Sequence, residues 1–243
     1  AHGAWGASAL APTTAVVAYS VALLLVGDLT VYILHRLMHE TELLWSFHAI
    51  HHSATDLTPL TQLRVHPVEL ALNTARGILV FGVITGLFDH LSGHRVSPLM
   101  FLGVNAANFA FFSLGANLRH SHIRLSYWAP LERLFISPAQ HQLHHSTDRA
   151  DYTRNYGSRL AIWDGLGGTL LTSKEARGLE AQPAFGLAGE HPQSLQGALL
   201  YPFRDPHTVT SATERMSLDG SISIVGSGHA PHPRRAPGSH REI

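Results

Sequence analysis

Three apolar stretches occupy the first half of the chain and predict helices long enough to cross a membrane. They are residues 11–27, with a helical pattern that continues through residue 34, residues 68–88 and residues 98–116. A bilayer core about 30 Å thick needs a helix of about 20 apolar residues. The second stretch carries Glu69, Asn73 and Arg76 near its start, and polar groups inside a membrane usually face a functional interior. A buried helix of a soluble protein is the alternative for the first stretch, and three spans are the favoured interpretation.

The distribution of arginine predicts which side of the membrane the loops occupy. If the three stretches span in turn, residues 40–67 and everything after residue 117 share one side, and residues 89–97 lie on the other. The first side carries Arg36, Arg64, Arg119, Arg124, Arg133, Arg149, Arg154 and Arg159, against Arg95 on the second. The positive-inside rule therefore makes the first side cytoplasmic. The predicted fold is an all-α integral membrane bundle of about three to four spans with a cytoplasmic, histidine-rich helical cap.

The apolar pattern weakens beyond residue 172, which sets the predicted domain organisation. Residues 1–172 form the predicted membrane-embedded domain with its cytoplasmic site. Residues 173–225 predict a C-terminal extension with a short helix near Ser194–Leu200, and residues 226–243, rich in Pro, Gly and polar residues, predict a disordered tail. Because the sequence begins with alanine, we expect that natural residues precede it.

Composition excludes several classes of function. The 243 residues include no cysteine, which excludes disulfides, thiolate metal sites and cysteine nucleophiles. Lysine and arginine together number 17, as do aspartate and glutamate, so the chain lacks the positive charge of a nucleic-acid-binding protein. Histidine, by contrast, occurs 19 times. Any bound metal must therefore be held by nitrogen and oxygen.

The histidines recur at spacings that bring side chains to one face of a helix. His35 and His39 are four residues apart, and Asp28 and Tyr32 precede them on the same helical face. Two triplets with i, i+3, i+4 spacing follow, His48, His51 and His52, then His141, His144 and His145. Imidazole suits zinc, copper, nickel or iron rather than calcium or magnesium. Eight such histidines exceed the coordination of one ion, so the sequence predicts a catalytic pair of metals rather than a structural zinc.

Local signals predict how these histidines are presented. Thr41 can cap a helix that carries the first triplet. Ser137 with Pro138 and Gln140 is typical of a capping box at the start of a helix that carries the second. The aromatic stretch at residues 127–136 suits a membrane interface. Metal-bound imidazoles need a partner for the other ring nitrogen, and the candidates are Asp28, Glu40, Glu69, Asn155 and Asp164.

A set of motifs, in order, resembles the signature of the fatty acid hydroxylase and sterol desaturase superfamily. The motifs are HRLMH at 35–39, WSFHAIHHS at 45–53, RVHPVE at 64–69, RHSHIRL at 119–125, HQLHH at 141–145, NYG at 155–157 and WDGLGGT at 163–169. The resemblance covers roughly residues 25–172. The last two motifs favour this branch over the acyl-CoA desaturases, which carry similar histidine boxes.

The resemblance implies a membrane-bound, non-haem diiron enzyme that uses O₂ and two electrons to hydroxylate or desaturate a lipid. It implies iron ligation and catalysis by His35, His39, His48, His51, His52, His141, His144 and His145. His66 and His120 fit two further ligands. In some members of the superfamily another ligand stands at the position of Arg124, and His122 is the alternative here. The resemblance also implies an electron-transfer partner, either a b-type cytochrome or a ferredoxin with its reductase.

The sequence leaves the reaction and the substrate open. Hydroxylation, desaturation and ether cleavage of sterol, fatty acyl, carotenoid or alkylglycerol substrates would share one metal centre. A histidine-rich membrane carrier of zinc or copper is the alternative from another functional class. Such a carrier would place ligands near the middle of its spans, whereas these histidines cluster at and beyond one membrane face.

Overall fold

Two long helices form the frame of the structure, a computed structural model. Helix α1 is Pro12–Glu40 and helix α3 is Pro67–Ser92, of 29 and 26 residues. By length and composition, both are apolar enough to cross a membrane. Of the 18 most apolar consecutive residues in each helix, only 17% in α1 and 0% in α3 are buried within the described protein, so both helices expose apolar side chains. These properties support an integral membrane protein.

The structure describes residues 12–97, 100–101, 104–106, 109–110, 116–176, 183–187 and 194–203. The shorter helices are α2 (Glu42–His52), α4 (Ala129–Glu132), α5 (Pro138–His144), α6 (Arg149–Tyr152), α7 (Ile162–Gly167) and α8 (Leu195–Leu200). Within these described residues, 3₁₀ turns occur at Pro59–Leu63, Ala116–His120 and Tyr201–Phe203. The predicted helical character of the chain is therefore confirmed for most of these residues.

Helices α1 and α3 pack against each other along their length. Near one end, the Tyr19 hydroxyl lies 2.6 Å from Thr85 Oγ1 and its ring packs on Phe88, with centroids 5.4 Å apart. Closer to the middle of both helices, Arg76 on α3 donates to Gly27 O and Thr30 Oγ1 on α1 at 3.3 and 3.0 Å. Polar contacts at two levels therefore tie the two helices together.

The third predicted span differs from the structure where its residues are described. Instead of one continuous helix over residues 98–116, strand β1 (Met100–Phe101) pairs antiparallel with strand β2 (Val104–Asn105). Gly103, Asn105 and Asn108 in this stretch have low helix propensity, which weakens a helix here. The rest of the stretch lies largely outside the described residues, so the structure gives two candidate spans where the sequence predicted three or more.

The helices that carry the histidine triplets begin where the sequence predicted. The predicted capping box of α5 is confirmed, because Ser137 Oγ accepts from Gln140 N–H at 3.2 Å and Gln140 Oε1 accepts from Ser137 N–H at 2.9 Å. At the start of α2, however, Thr41 makes no side-chain cap. Its hydroxyl donates instead to Leu37 O at 2.8 Å, because only this one residue separates α1 from α2.

The described part of the C-terminal extension packs on α2. The predicted short helix is present as α8, capped by Ser194 Oγ, which accepts from Gly197 N–H at 3.1 Å. Tyr201 is buried against Ala49 and Ile50 of α2. The chain divides into units 1–204 and 205–243. The second unit, including the predicted tail, lies outside the described residues.

Candidate metal centre

Nine histidines gather into two groups with metal-binding geometry. The first histidine group is His35, His39, His48, His52 and His144, and the second histidine group is His51, His120, His141 and His145. Within each group, one ring nitrogen per residue lies within 4.8 Å of the others. His35 and His39 are half-buried, and the other seven are buried. All eight histidines predicted from the boxes are therefore brought together, with His120 as the ninth.

The two groups are adjacent because helices α2 and α5 each supply both. On α2, His48 and His52 turn to the first histidine group, whereas His51 turns to the second. At α5, His144 joins the first group, while its neighbour His145 joins the second. The rings of His52 and His145 stack across the boundary, with centroids 4.4 Å apart and planes 20° apart. This arrangement suits two neighbouring metal ions rather than two remote ones.

Hydrogen bonds fix the tautomers in the first histidine group. The Nδ1 atoms of His35 and His144 lie 2.8 Å from the main-chain oxygens of Tyr156 and Arg154. A carbonyl oxygen only accepts, so both Nδ1 atoms carry the proton. His48 Nδ1 likewise donates to Glu69 Oε1 at 3.0 Å. In the neutral rings, the three Nε2 atoms therefore present bare lone pairs.

Those lone pairs face one another at close range. The Nε2 atom of His35 lies 3.0 Å from that of His48 and 3.1 Å from that of His144, with no proton to place between them. A cation resolves this repulsion. Metal–imidazole bonds of about 2.1 Å with angles of about 90–100° separate the two nitrogens by about 3.0–3.2 Å. The residues present therefore fit a bound metal ion.

The second histidine group repeats this geometry around His120. Its Nε2 atom lies 3.2 Å from that of His51, 3.1 Å from that of His145 and 3.0 Å from that of His141. A single ring proton can satisfy only one of these three contacts. Several other buried ring nitrogens have no hydrogen-bond partner in the described part of the chain: His39 Nδ1 and Nε2, His52 Nε2 and His141 Nδ1.

The electrostatic environment keeps the rings neutral and ready to bind a metal. Burial lowers the pKa of His48 and His51 to about 3 and that of His120 to about 2. Burial and then the neighbouring imidazoles lower the pKa well below 6.5 for His52, His141, His144 and His145. Protons therefore compete poorly with a metal for these nitrogens near neutral pH.

Of the five polar candidates for the outer partners, Glu69 contacts a histidine of the groups directly. Asp28 instead accepts from Leu160 N–H and Trp163 Nε1–H at 2.9 and 3.1 Å. Glu40 pairs with Arg36 at 2.7 Å. The predictions for Asp28 and Glu40 are thus wrong as direct partners, because both carboxylates are engaged elsewhere.

Asn155 and Asp164 do not contact a histidine of the groups. Asn155 lies in the loop whose main-chain carbonyls accept hydrogen bonds from His35 and His144, and Asp164 bonds the same loop. Pattern reasoning from side chains missed those carbonyls, since every residue has one. It also missed the aromatic wall of the first histidine group, where the rings of Trp45 and Tyr156 each lie 5.1 Å from the His39 ring.

His66, a predicted ligand, lies outside both groups. Its Nδ1 accepts from Val68 N–H at 3.1 Å, which caps helix α3, and its Nε2 lies 3.2 Å from Leu199 O. Both ring nitrogens therefore have partners within the protein, and the structure does not bring His66 into either group. Arg124 and the alternative His122 are likewise absent from the two groups.

A cavity of about 270 Å³ opens beside both groups. His35 and His48 of the first group and His51, His120 and His141 of the second line one part of it. Val31 and Met38 of α1 and Val65 give it an apolar part, whereas Glu69 and Arg119 make it polar elsewhere. A substrate held there would reach both histidine groups.

The chain is similar to known proteins of one family. Residues 20–169 match the model of the fatty acid hydroxylase family. The chain is 34% identical over 173 residues to the ornithine lipid hydroxylase OlsE of Rhizobium tropici, covering 66% of this chain and 48% of that protein. It is 28% identical over 148 residues to the alkylglycerol monooxygenase of Homo sapiens, covering 61% and 29%, respectively.

The alkylglycerol monooxygenase of Caenorhabditis elegans is 27% identical over 160 residues, covering 66% of this chain and 28% of that protein. The chain thus spans about half the length of the ornithine lipid hydroxylase and under a third of the alkylglycerol monooxygenases. No solved structure matches it. The family match covers more than half of the chain and includes all nine grouped histidines, and both kinds of relative are lipid hydroxylases or monooxygenases. The chain therefore belongs to the fatty acid hydroxylase family.

Proposed function

We propose that this protein is a membrane-bound, O₂-dependent oxygenase that uses two iron ions to hydroxylate or desaturate a C–H bond of a lipid. Its main support is the pair of adjacent histidine groups, in which Nε2 atoms face one another at 3.0–3.2 Å. Nine nitrogen donors are too many for one ion of coordination four to six. A single structural zinc would need about four.

In this proposal the first and second histidine groups hold one iron each. Iron bound there would supply the activation of O₂ that an unactivated C–H bond requires. The protein supplies a fixed ligand set. Glu69 holds the proton on His48 Nδ1, and two main-chain carbonyls hold those of His35 and His144. These partners keep the metal-facing nitrogens deprotonated and correctly aimed.

The cavity is the proposed substrate site. Its apolar side, with Val31 and Met38, suits a hydrocarbon chain, and Glu69, Asn73 and Arg119 suit a polar group of the same lipid. Burial lowers the pKa of Arg119 to about 10, so its guanidinium stays charged at neutral pH. The relatives named above are an ornithine lipid hydroxylase and two alkylglycerol monooxygenases. These names favour a polar membrane lipid and an oxygen-inserting reaction over desaturation.

Reduction of O₂ requires two electrons from outside the chain, because the sequence carries no haem-binding or ferredoxin-like motif. We therefore propose a b-type cytochrome, or a ferredoxin with its reductase, as the partner. The arginine distribution supports a cytoplasmic position of the two histidine groups. Such a position would give a soluble reductant access to the site.

The carrier alternative receives no support from the positions of the ligands. His35 and His39 lie in the last two turns of α1, and the other seven lie outside both long helices. A transport site would lie near the middle of the spans. A site at one end of the helices suits catalysis on a lipid instead.

The decisive experiment is metal analysis of the detergent-purified protein after anaerobic reconstitution with Fe²⁺. The expected result is about two irons per chain and reductant-dependent O₂ uptake that a lipid extract stimulates. Mass spectrometry of the extract should show a lipid product heavier by one oxygen atom. A single zinc per chain, with no O₂ uptake after reconstitution, would contradict the oxygenase proposal.

A further inference from the structure

The loop at residues 154–157 connects the first histidine group to the C-terminal part of the domain. Two of its main-chain carbonyls point at ring nitrogens of that group. Arg154 O receives His144 Nδ1–H, and Tyr156 O receives His35 Nδ1–H, each at 2.8 Å. His35 belongs to α1 and His144 to α5, so one short loop sets the tautomer and direction of two rings from distant parts of the sequence.

Asp164, at the start of α7, holds this loop in place. It is fully buried, and its Oδ1 accepts from Tyr156 N–H at 2.8 Å while its Oδ2 accepts from Gly157 N–H at 2.7 Å. Thr169 Oγ1–H donates to the same carboxylate at 2.7 Å. Each oxygen therefore receives a main-chain donor, and the carboxylate fixes the peptide that carries the Tyr156 carbonyl.

Asn155 anchors the other side of the loop. Its backbone φ is +56°, a value that residues other than glycine and asparagine rarely adopt. Its side chain receives Leu171 N–H at 2.8 Å and donates to Leu171 O and Gln140 O at 2.9 and 3.2 Å. Gly157 completes the fit, since a Cβ there would lie 2.7 Å from Asp164 Oδ2 and from Leu160 O.

We propose that Asp164 and Asn155 are positioning residues that act on the first histidine group through the main-chain carbonyls of the loop. This inference rests on the proposed function, because it assumes that a metal occupies that group. It makes a selective claim. In the part of the chain that the structure describes, no histidine of the second group bonds the loop, so damage to the loop should weaken one metal and spare the other.

Asp164→Asn tests the claim with a minimal change of shape. The amide replaces one accepting oxygen with an NH₂ donor, which then faces a main-chain N–H. A lost outer partner typically weakens metal binding about 10- to 100-fold. After mild chelation of the iron-loaded protein, we expect about two irons per chain in the parent and about one in Asp164→Asn.

Asp28→Asn is the matched control, because Asp28 is also fully buried and also accepts a main-chain N–H from the same C-terminal segment. It does not bond residues 154–157. The control should keep both irons even if its melting temperature falls as far as that of Asp164→Asn. If both variants lost iron alike, the effect would be general destabilisation, and the positioning role would be refuted.

Asn155→Gly provides a second test if Asp164→Asn does not fold. Glycine keeps the left-handed backbone but removes the three side-chain hydrogen bonds, so it should also lose about one iron. Retention of both irons by the folded variants, with the chelator resistance of the parent, would overturn the inference. A parent that itself fails to bind two irons would instead refute the proposed function, so the two failures are distinguishable.

Discussion

Removal of the Glu69 carboxylate should weaken metal binding in the first histidine group. His48 is 3% exposed, and its Nδ1–H donates to Glu69 Oε1 at 3.0 Å. In Glu69→Ala this buried donor loses its partner, which typically costs about 1–3 kcal/mol. That energy corresponds to about 5- to 150-fold in affinity. Loss of an outer carboxylate in other metal sites gives a similar range, about 10- to 100-fold.

The cavity beside Glu69 determines where the loss of metal affinity in Glu69→Ala falls within this range. Glu69 lines that cavity, so truncation enlarges it and lets water reach His48 Nδ1. We therefore expect the lower part of the range, about 10-fold, for Glu69→Ala. Glu69→Gln keeps an oxygen that can accept from His48, and a neutral bond is about half as strong as a charged one. Its loss of affinity should be smaller than that of the alanine variant.

The assay is competition between the protein and a chelator for Fe²⁺ under anaerobic conditions, read as iron per chain. Asp89→Ala is the control, because Asp89 lies near the other end of α3 and accepts from Val96 N–H at 2.8 Å. It has no contact with either group. If Glu69→Ala bound iron within about twofold of the parent, the outer role of Glu69 would be refuted.

Three further predictions follow from the site. His48→Ala or His144→Ala should abolish lipid oxidation and lower iron to half of the parent value or less, whereas full activity in either variant would remove that residue from the site. The His66→Asn variant should keep both irons, because both ring nitrogens of His66 bond to groups within the protein, and its melting temperature should fall. Loss of iron in this variant would show that His66 is a ligand. Because burial lowers the pKa of His48 and His51 to about 3, the unfolded chain binds more protons below pH 6.5. For each of these two histidines, the free energy of unfolding of the metal-free protein should therefore fall by about 1.4 kcal/mol per pH unit as the pH decreases from 6.5 towards 3. Urea unfolding at pH 7 and 5.5 measures this change. Equal free energies of unfolding at the two pH values would contradict the prediction.

The local parts of the site could be predicted from the sequence because they follow helical periodicity. The i, i+3, i+4 triplets and the Ser137 capping box determine which side chains share a short helix, and the structure has both helices where expected. The long-range parts could not be predicted in this way. Neither His66 nor His120 belongs to a triplet with helical spacing, and the bonds of His66 to Val68 N–H and Leu199 O separate the structural residue from the member of a group.

The outer partners were harder to predict than the ligands for a chemical reason. Carboxylates and amides stand out in a sequence, so Asp164 and Asn155 were natural candidates for direct bonds to imidazole. The bonds to His35 and His144 come instead from main-chain carbonyls, which every residue offers. The side chains determine only which carbonyls are held rigidly enough to serve.

The alternation of histidines along α2 requires that this helix be held firmly. Neighbours on a helix point about 100° apart, so His51 and His52 reach different groups only at one rotation of the helix about its axis. Arg64 fixes the end of α2, because its guanidinium donates to Ile50 O at 2.9 Å and to Ser53 Oγ at 2.8 Å. A positive charge at a helix C-terminus is also electrostatically favourable. Since α2 supplies histidines to both groups, any shift of this helix would disturb both groups at once, and substitutions that move it should be non-additive with those at the histidines.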